Sequence, residues 1–166
     1  MSVEINYKKN FVNNKSINLI LFTDEKFTIT NLKKHILIKE YSYIADILKS
    51  KDLKKKILSF DISAKRKVFL ISLKKNLTSF DVENLGAEFY EIVKNINLNN
   101  YNLNSNSITP VFKNFIGYFL HGLKLKSYKF EKYKNKKNTK NISIIVTGKN
   151  KPSLKDQLKF KALEEG

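Results

Sequence analysis

The chain's only imidazoles are His35 and His121, and neither has a second histidine four residues on or a carboxylate at a ligand-like offset. They therefore frame no helix-borne zinc site, and each reads as a surface or packing histidine. Thr147-Gly148-Lys149 follows a strand-like run as a phosphate loop would, but the upstream glycine is missing and Asn150 stands where a Ser or Thr is needed. The motif is rejected on those grounds. Asp24-Glu25 and Glu164-Glu165 are paired acids. Adjacent side chains in a helix or strand point apart, so they make no acid/base couple and read as solvated charge. Neither Gly-x-Ser-x-Gly nor Gly-x-Gly-x-x-Gly occurs. The absence of cysteine excludes disulfides, thiolate metal sites and cysteine nucleophiles, and fits a reducing compartment, so a cytoplasmic location is expected.

What remains is basic charge. The densest stretch, Lys124 to Lys140, holds Lys124, Lys126, Lys129, Lys132, Lys134, Lys136, Lys137 and Lys140 against Glu131 alone, interleaved with Tyr128, Phe130 and Tyr133. Lysines alternating with aromatics suit a nucleic-acid backbone and its stacked bases, which makes these eight the candidate nucleic-acid contacts. The global composition points elsewhere. A net charge of +17 accompanies 32 basic residues of which only Arg66 is arginine, with 5 Gly and 2 Pro. Lys, Asn, Ile, Phe and Tyr have A/T-rich codons, so an A/T-rich genome would give any protein this balance. Arginine is the usual bidentate reader of guanine and phosphate, and its near absence weakens sequence-specific recognition. Codon bias is the favoured reading of the charge; DNA is a candidate partner of second rank.

These residues need elements to hold them. At 166 residues and 42% hydrophobic content the chain can bury one sizeable core, so one domain is expected. Apolar runs as short as Leu19 to Phe22, and an N-terminus without basic and apolar regions, predict neither a membrane span nor a secretion signal. Val3 to Tyr7 alternates and predicts an edge or half-buried strand. The runs 17–22, 68–73 and 142–146 are apolar on successive residues, which predicts neighbouring central strands covered on both faces, with Ile145 deeply buried. Leu58, Phe60 and Ile62 form a hairpin with 68–73. Tyr43, Ile44, Ile47 and Leu48 mark a short helix. Thr78 and Asp81 cap a longer one through Val82, Leu85, Phe89, Ile92, Val93 and Ile96. Asn95 to Asn106, with seven asparagines, reads as a loop or a weak strand through Ile96, Leu98, Tyr101 and Leu103. Pro110 opens a helix with Phe112, Phe115, Ile116, Phe119, Leu120 and Leu123 on its face. Ser153 and Asp156 start a last helix with a stripe of Leu154, Leu158 and Leu163, and its terminal Glu164 and Glu165 oppose the helix dipole, so it is expected to continue. Strand-like runs alternating with helical faces predict an α/β fold.

Within this order Gly122, Leu125, Tyr128, Phe130, Tyr133 and Lys134 match Gly-x-x-Leu-x-x-Tyr-x-Phe-x-x-Tyr-Lys. That pattern resembles the helix and exit motif late in the N-terminal domain of leucyl aminopeptidases, the cytosol aminopeptidase family. Residues 43–48 with 51–54 resemble the family's early helix and its exit, and 67–73 the strand after it. Helix 79–95, strand 142–146 and Gly166 fall in the matching order, so the resemblance spans essentially the whole chain. It implies a macro-domain-like mixed sheet with helices on both faces. Residues 1–152 would be the non-catalytic N-terminal domain, and 153–166 the start of the helix leading into a catalytic domain.

In that family the two divalent metals, zinc or manganese, and the peptide-cleaving residues lie in the catalytic domain, whose Asn-Thr-Asp-Ala-Glu-Gly-Arg-Leu motif is not found here. The resemblance therefore assigns this chain no catalytic, metal or cofactor-binding residue, and no metal binding or leucine-amide turnover is expected of it alone. It implies as partners the enzyme's own catalytic domain and the neighbours in a hexamer, with no membrane. Some bacterial members also bind DNA. Three functions stand: an assembly or regulatory domain of a metalloaminopeptidase that removes N-terminal amino acids, a lysine-rich nucleic-acid module, and, by fold analogy, a macro-like nucleotide or ADP-ribose binder. Few glycines for a phosphate cradle weigh against the last.

Overall fold

The computed structural model describes residues 2–8, 17–107, 112–133 and 141–165. Six strands form one sheet: β1 (Ser2–Lys8), β2 (Asn18–Asp24), β3 (Ile57–Ser63), β4 (Arg66–Leu73), β5 (Asn100–Asn104) and β6 (Asn141–Thr147), in the order β1-β6-β5-β2-β4-β3. All neighbours are parallel except the β3–β4 hairpin. Four helices accompany them: α1 (Ile38–Ser50), α2 (Ser79–Val93), α3 (Phe115–Tyr133) and α4 (Leu154–Glu165). The expected single α/β domain, macro-domain-like and with helices on both sheet faces, is what folds.

Period-two alternation sorts each strand's side chains onto two faces. One face carries Ile20, Phe22, Phe69, Ile71, Tyr101, Leu103, Ile142 and Ile144 under α2 and α3, a core of interlocking rings in which Phe22 meets Phe119 edge-on at 5.3 Å. The other carries Leu19, Leu21, Leu58, Phe60, Val68 and Leu70 beneath Ile44 of α1 and the loop residues Phe27, Ile29, Leu32 and Ile36. This second core stops at β2. On β5, Asn102 and Asn104 stand on that same face, buried, and on β1 its residues Glu4, Asn6 and Lys8 are exposed.

Helices α2 and α3 cross at two glycines. A Cβ on Gly86 would lie 1.9 Å from the Phe119 carbonyl oxygen, and one on Gly122 would lie 1.9 Å from that of Glu83. Any side chain at either position would push the pair apart, which gives Gly122 of the sequence motif a packing reason. The α2 start is as expected: the Thr78 amide donates to Asp81 Oδ2 at 2.9 Å and the Asp81 amide to Thr78 Oγ1 at 3.2 Å.

Several expectations need correction. Of the loop or weak strand expected over 95–106, the strand forms and is central, because Tyr101 and Leu103 pack under the helices while Asn102 between them donates to the Ile145 carbonyl of β6. Ile96 and Leu98 fall before it. Consequently 142–146 is not adjacent to 17–22; β5 separates them. Ile144 is fully buried, but Ile145 faces the opposite side, with Asn102, and is half-buried. Tyr43 is 45% exposed, whereas Ile44, Ile47 and Leu48 pack on the core as expected. Ile92 lies at the exposed border of α2, and Ile96 lies beyond its end. The α3 helix runs unbroken through Tyr128 to Tyr133; Pro110 lies outside the described residues. In α4, Leu154, Leu158 and Leu163 are 79%, 67% and 58% exposed, and Phe160 is the docked residue. The turns explain it: Leu163 is nine residues from Leu154, about half a revolution round the helix, so the three share no stripe.

Candidate functional site

The carboxyl end of a parallel sheet is the usual ligand crevice, at the point where strand order reverses. Here α1 leads from β2 toward β4 on one face, while α3 leads from β5 to β6 on the other, so the reversal falls between β2 and β5. These two strands pair only through Ile20 and Leu103, and then part. Ser107 fills the gap: its hydroxyl accepts the Phe22 amide at 3.1 Å and donates to the Asn104 carbonyl at 2.7 Å. The turn after β6, where Gly148 has φ +99°, is also occupied. The Lys149 amide donates to Asn106 Oδ1 at 2.9 Å and the Asn150 amide to Ser105 Oγ at 3.2 Å. Amides that would cradle a phosphate are bonded to the chain's own side chains, which agrees with rejecting Thr147-Gly148-Lys149 as a phosphate loop.

Beside this rim His35 takes a hydrogen bond at Nδ1 from Asn104 Nδ2, at 3.0 Å. That contact fixes the neutral tautomer with its proton on Nε2. Burial, with Lys34 adding repulsion, lowers its pKa below the usual histidine value. His35 Nε2 and Asn102 Oδ1 are buried without a hydrogen-bond partner. Asp24 ends β2 and closes its own turn, accepting from the amides of Lys26 at 3.0 Å and Thr28 at 2.9 Å. Partial burial raises its carboxyl, but these bonds and the Lys26 charge outweigh it and hold the group below the usual range.

A second constellation joins α3, α4 and β1. Phe160 seats against Gly117, where a Cβ would lie 2.4 Å from its ring, and stacks edge-on to Tyr118 at 5.2 Å. Next to it Glu164 lies 3.3 Å from His121 Nδ1 and accepts from Lys124 Nζ at 3.2 Å, its side chain only 6% exposed. Glu164 is therefore a buried tertiary partner, not solvated charge. Pairing across 40 residues of sequence explains an acid at a helix's negative end, so the helix need not be expected to continue on that account. Tyr7, whose hydroxyl is pushed up to about 12 by burial and by Glu164, lines the adjoining cavity of about 180 Å³ with Ile5, Leu120 and Gln157. A larger groove of about 470 Å³ beside α2 mixes charges of both signs, Lys56 meeting Glu88 at 3.3 Å.

The eight candidate nucleic-acid lysines do not form one free patch among the described residues. Lys124 pairs with Glu164, Lys126 lies 3.4 Å from Glu91 of α2, and Lys129 is exposed on α3. Lys132 is within α3, and Lys134, Lys136, Lys137 and Lys140 lie outside the described residues. The lone arginine is structural. Arg66 grips Glu40 through Nε at 2.8 Å and a second nitrogen at 3.0 Å, and donates to the Ile17 carbonyl at 2.6 Å. Glu40 in turn accepts the Leu37 amide, closing the first turn of α1. Its one sequence signal was an arginine retained where lysine is otherwise used throughout. Among the described residues there is no group of three or more His, Cys, Asp or Glu that could hold a metal ion, and no helix long and apolar enough to cross a membrane.

The sequence matches no protein-family model and no curated protein. Its fold does match solved structures. A tomato leucine aminopeptidase variant superposes with a TM-score of 0.70 at 12% identity, covering 99% of this chain and 36% of that one. The macrodomain of Thermus aquaticus DarG gives 0.57 at 8% identity over 89% of this chain and 100% of its own. A macrodomain protein from Streptomyces coelicolor gives 0.54 at 10%, over 88% and 99%. The chain thus spans about a third of the aminopeptidase and nearly all of either macrodomain. At these identities the likeness is one of fold.

Proposed function

We propose that this chain is the non-catalytic α/β domain of a leucyl aminopeptidase, serving assembly or regulation. The observation that carries this reading is extent: 99% of the chain, α4 included, finds its counterpart within 36% of the tomato enzyme. The Gly122 motif supports it, since that glycine sits where α2 and α3 touch backbone to backbone. In this reading the two divalent metals and the groups that cleave peptides belong to a second module reached through α4. The coding sequence beyond residue 166 is the test. A downstream Asn-Thr-Asp-Ala-Glu-Gly-Arg-Leu motif supports the assignment; a stop codon there, or metal-dependent leucine-amide turnover by residues 1–166 alone, overturns it.

One observation favours a second reading, a macro-like binder of a nucleotide or ADP-ribose. His35 Nε2 and Asn102 Oδ1 are an unmatched donor and acceptor near the carboxyl end of β5, where an α/β fold takes its ligands. Titration with ADP-ribose followed by the His35 ring resonances separates the readings: saturable shifts support the binder, and unchanged resonances at millimolar ligand remove it.

A further inference from the structure

The edge strand β1 pairs only with β6 among the described residues, in parallel register from Ser2↔Asn141 to Lys8↔Thr147. Half of its backbone amides and carbonyls therefore face away from the sheet. Such an edge is a template for another strand unless its side chains forbid one. Its sequence does the opposite. Val3, Ile5 and Tyr7 are half-buried on the α3 side, while Glu4, Asn6 and Lys8 are exposed on the other. The pattern is self-complementary about Asn6.

An antiparallel pairing of two β1 strands about a two-fold axis at Asn6 sets each of residues 4–8 opposite the one whose number completes a sum of twelve. Glu4 then faces Lys8 of the second copy, and Lys8 faces its Glu4, so both exposed charges are matched twice. On the opposite face Ile5 meets Tyr7, and the aliphatic and aromatic pair repeats by symmetry. Outward-pointing backbone groups also meet, because this register pairs even residues with even and odd with odd. A shift by one residue about the axis would pair inward with outward positions and lose the ladder. The two-fold stands normal to the sheet, so the α3 faces of both copies stay on the same side.

We propose that β1 is a self-association edge, through which two copies of this chain join their six-stranded sheets into one continuous sheet, with Glu4–Lys8 pairs setting the register. A second copy is the occupant because the complementarity is of the strand with itself. Nothing in the pairing requires an aminopeptidase context. The net charge of +17 opposes association at low ionic strength. At about 0.15 M salt the Debye length is roughly 8 Å, which screens the distant charges while leaving directly opposed side chains coupled.

Sedimentation equilibrium of the wild-type chain and its Glu4→Lys and Lys8→Glu variants, at that ionic strength, tests this. Both positions are exposed, so neither substitution threatens the fold. The expected result is a concentration-dependent wild-type dimer. Either single variant should weaken it by at least about tenfold, since each puts like charges opposite twice. Mixing the two variants should restore dimers, now heterodimers, because both strand lysines of the Glu4→Lys chain then face the two glutamates of the Lys8→Glu chain. A wild-type chain that stays monomeric at hundreds of micromolar overturns the proposal. So does a dimer that either charge reversal leaves unchanged, or single variants that fail to associate with each other.

Discussion

On the α1 side of the sheet, β2, β4 and β3 are sealed by Ile44 and a looped segment over Leu19, Leu21, Leu58, Phe60, Val68 and Leu70. On the same side, β5, β6 and β1 present Asn102 and Asn104, then Ser143, Ile145 and Thr147, then Glu4, Asn6 and Lys8. One half gains stability from area removed from water; the other spends side chains on hydrogen bonds. Asn102 Nδ2 donates to the Ile145 carbonyl at 3.1 Å, and Asn104 joins β5 to His35 and to the Asn106 amide. The contrast teaches where this fold is free to change use. The apolar half holds no side-chain donor or acceptor among these residues, whereas the polar half buries donors and acceptors, Asn102 Oδ1 without a partner among them, and ends in a strand edge.

The largest effect expected from this contrast is a charge placed on each half. Leu70→Asp puts a carboxylate where the side chain is wholly buried among apolar neighbours. It should cost on the order of 5 kcal/mol, comparable to the whole stability of a domain of this size. Ile145→Asp, half-exposed beside Asn102, should cost about 1 kcal/mol. Urea midpoints for the two variants check it, and equal losses would show that the polar half is as tightly sealed as the apolar one.

Next in size is the ion pair at the border of the apolar half. Arg66 and Glu40 side chains are 9% and 7% exposed. Arg66→Met leaves Glu40 charged, buried and unpaired, with the Ile17 carbonyl unmet, and should cost about 3–5 kcal/mol. Adding Glu40→Leu should recover much of that, since two apolar groups leave no stranded charge; the α1 cap and the bond to the Ile17 carbonyl remain lost. If the double variant is no more stable than Arg66→Met, the arginine serves chiefly to hold Ile17 at the entry to β2 rather than to neutralise one carboxylate.

Sequence reading succeeded where local pattern and final environment coincide. Leu19 to Phe22 and Val68 to Leu73 are apolar on both faces because two cores enclose β2 and β4, and Thr78 with Asp81 states its cap within four residues. It left β5 open between a loop and a weak strand, because Asn-Tyr-Asn-Leu-Asn has strand periodicity but turn composition; Asn102 Nδ2 finds its acceptor, the Ile145 carbonyl of β6, about forty residues on. The same distance hid the cluster of His121, Lys124 and Glu164, and the leucines of α4 concealed that Phe160 and Glu164 make its docked side. Long-range pairing has no local spacing to read.

A smaller effect probes those asparagines. Asn102→Leu gives up the Nδ2 bonds to the Ile145 carbonyl and, at 3.4 Å, to Thr147 Oγ1, and gains apolar contact while removing the unpartnered Oδ1. These oppose each other, so the net change should lie within about 1 kcal/mol. Leu70→Asn, the reverse exchange on the apolar half, should cost about 3 kcal/mol, from lost burial and an amide without partners. Thermal melts of the two variants, run together, decide whether the halves differ in kind or only in side-chain size.

The smallest effect lies at the seam between the halves, where His35 reaches over to Asn104. Folding lowers the His35 pKa, first through burial and then through Lys34. The unfolded chain, with a histidine pKa near 6.5, therefore binds a proton that the folded chain resists. The stability contributed by neutral His35 is complete above about pH 6.5, declines as pH falls through that value, and levels off below the lowered folded pKa. Protonation also places a hydrogen on Nδ1, where Asn104 Nδ2 now donates, so the contact must break or the amide must turn. His35→Gln should flatten the profile of urea midpoint against pH between about 7 and 5 while leaving its more acidic limb intact, since that limb belongs to carboxylates such as Asp24 and Asp81, whose pKa values lie below the usual range. A His35→Gln profile that still falls through that window as the wild type does would show that the sensitivity does not reside at His35.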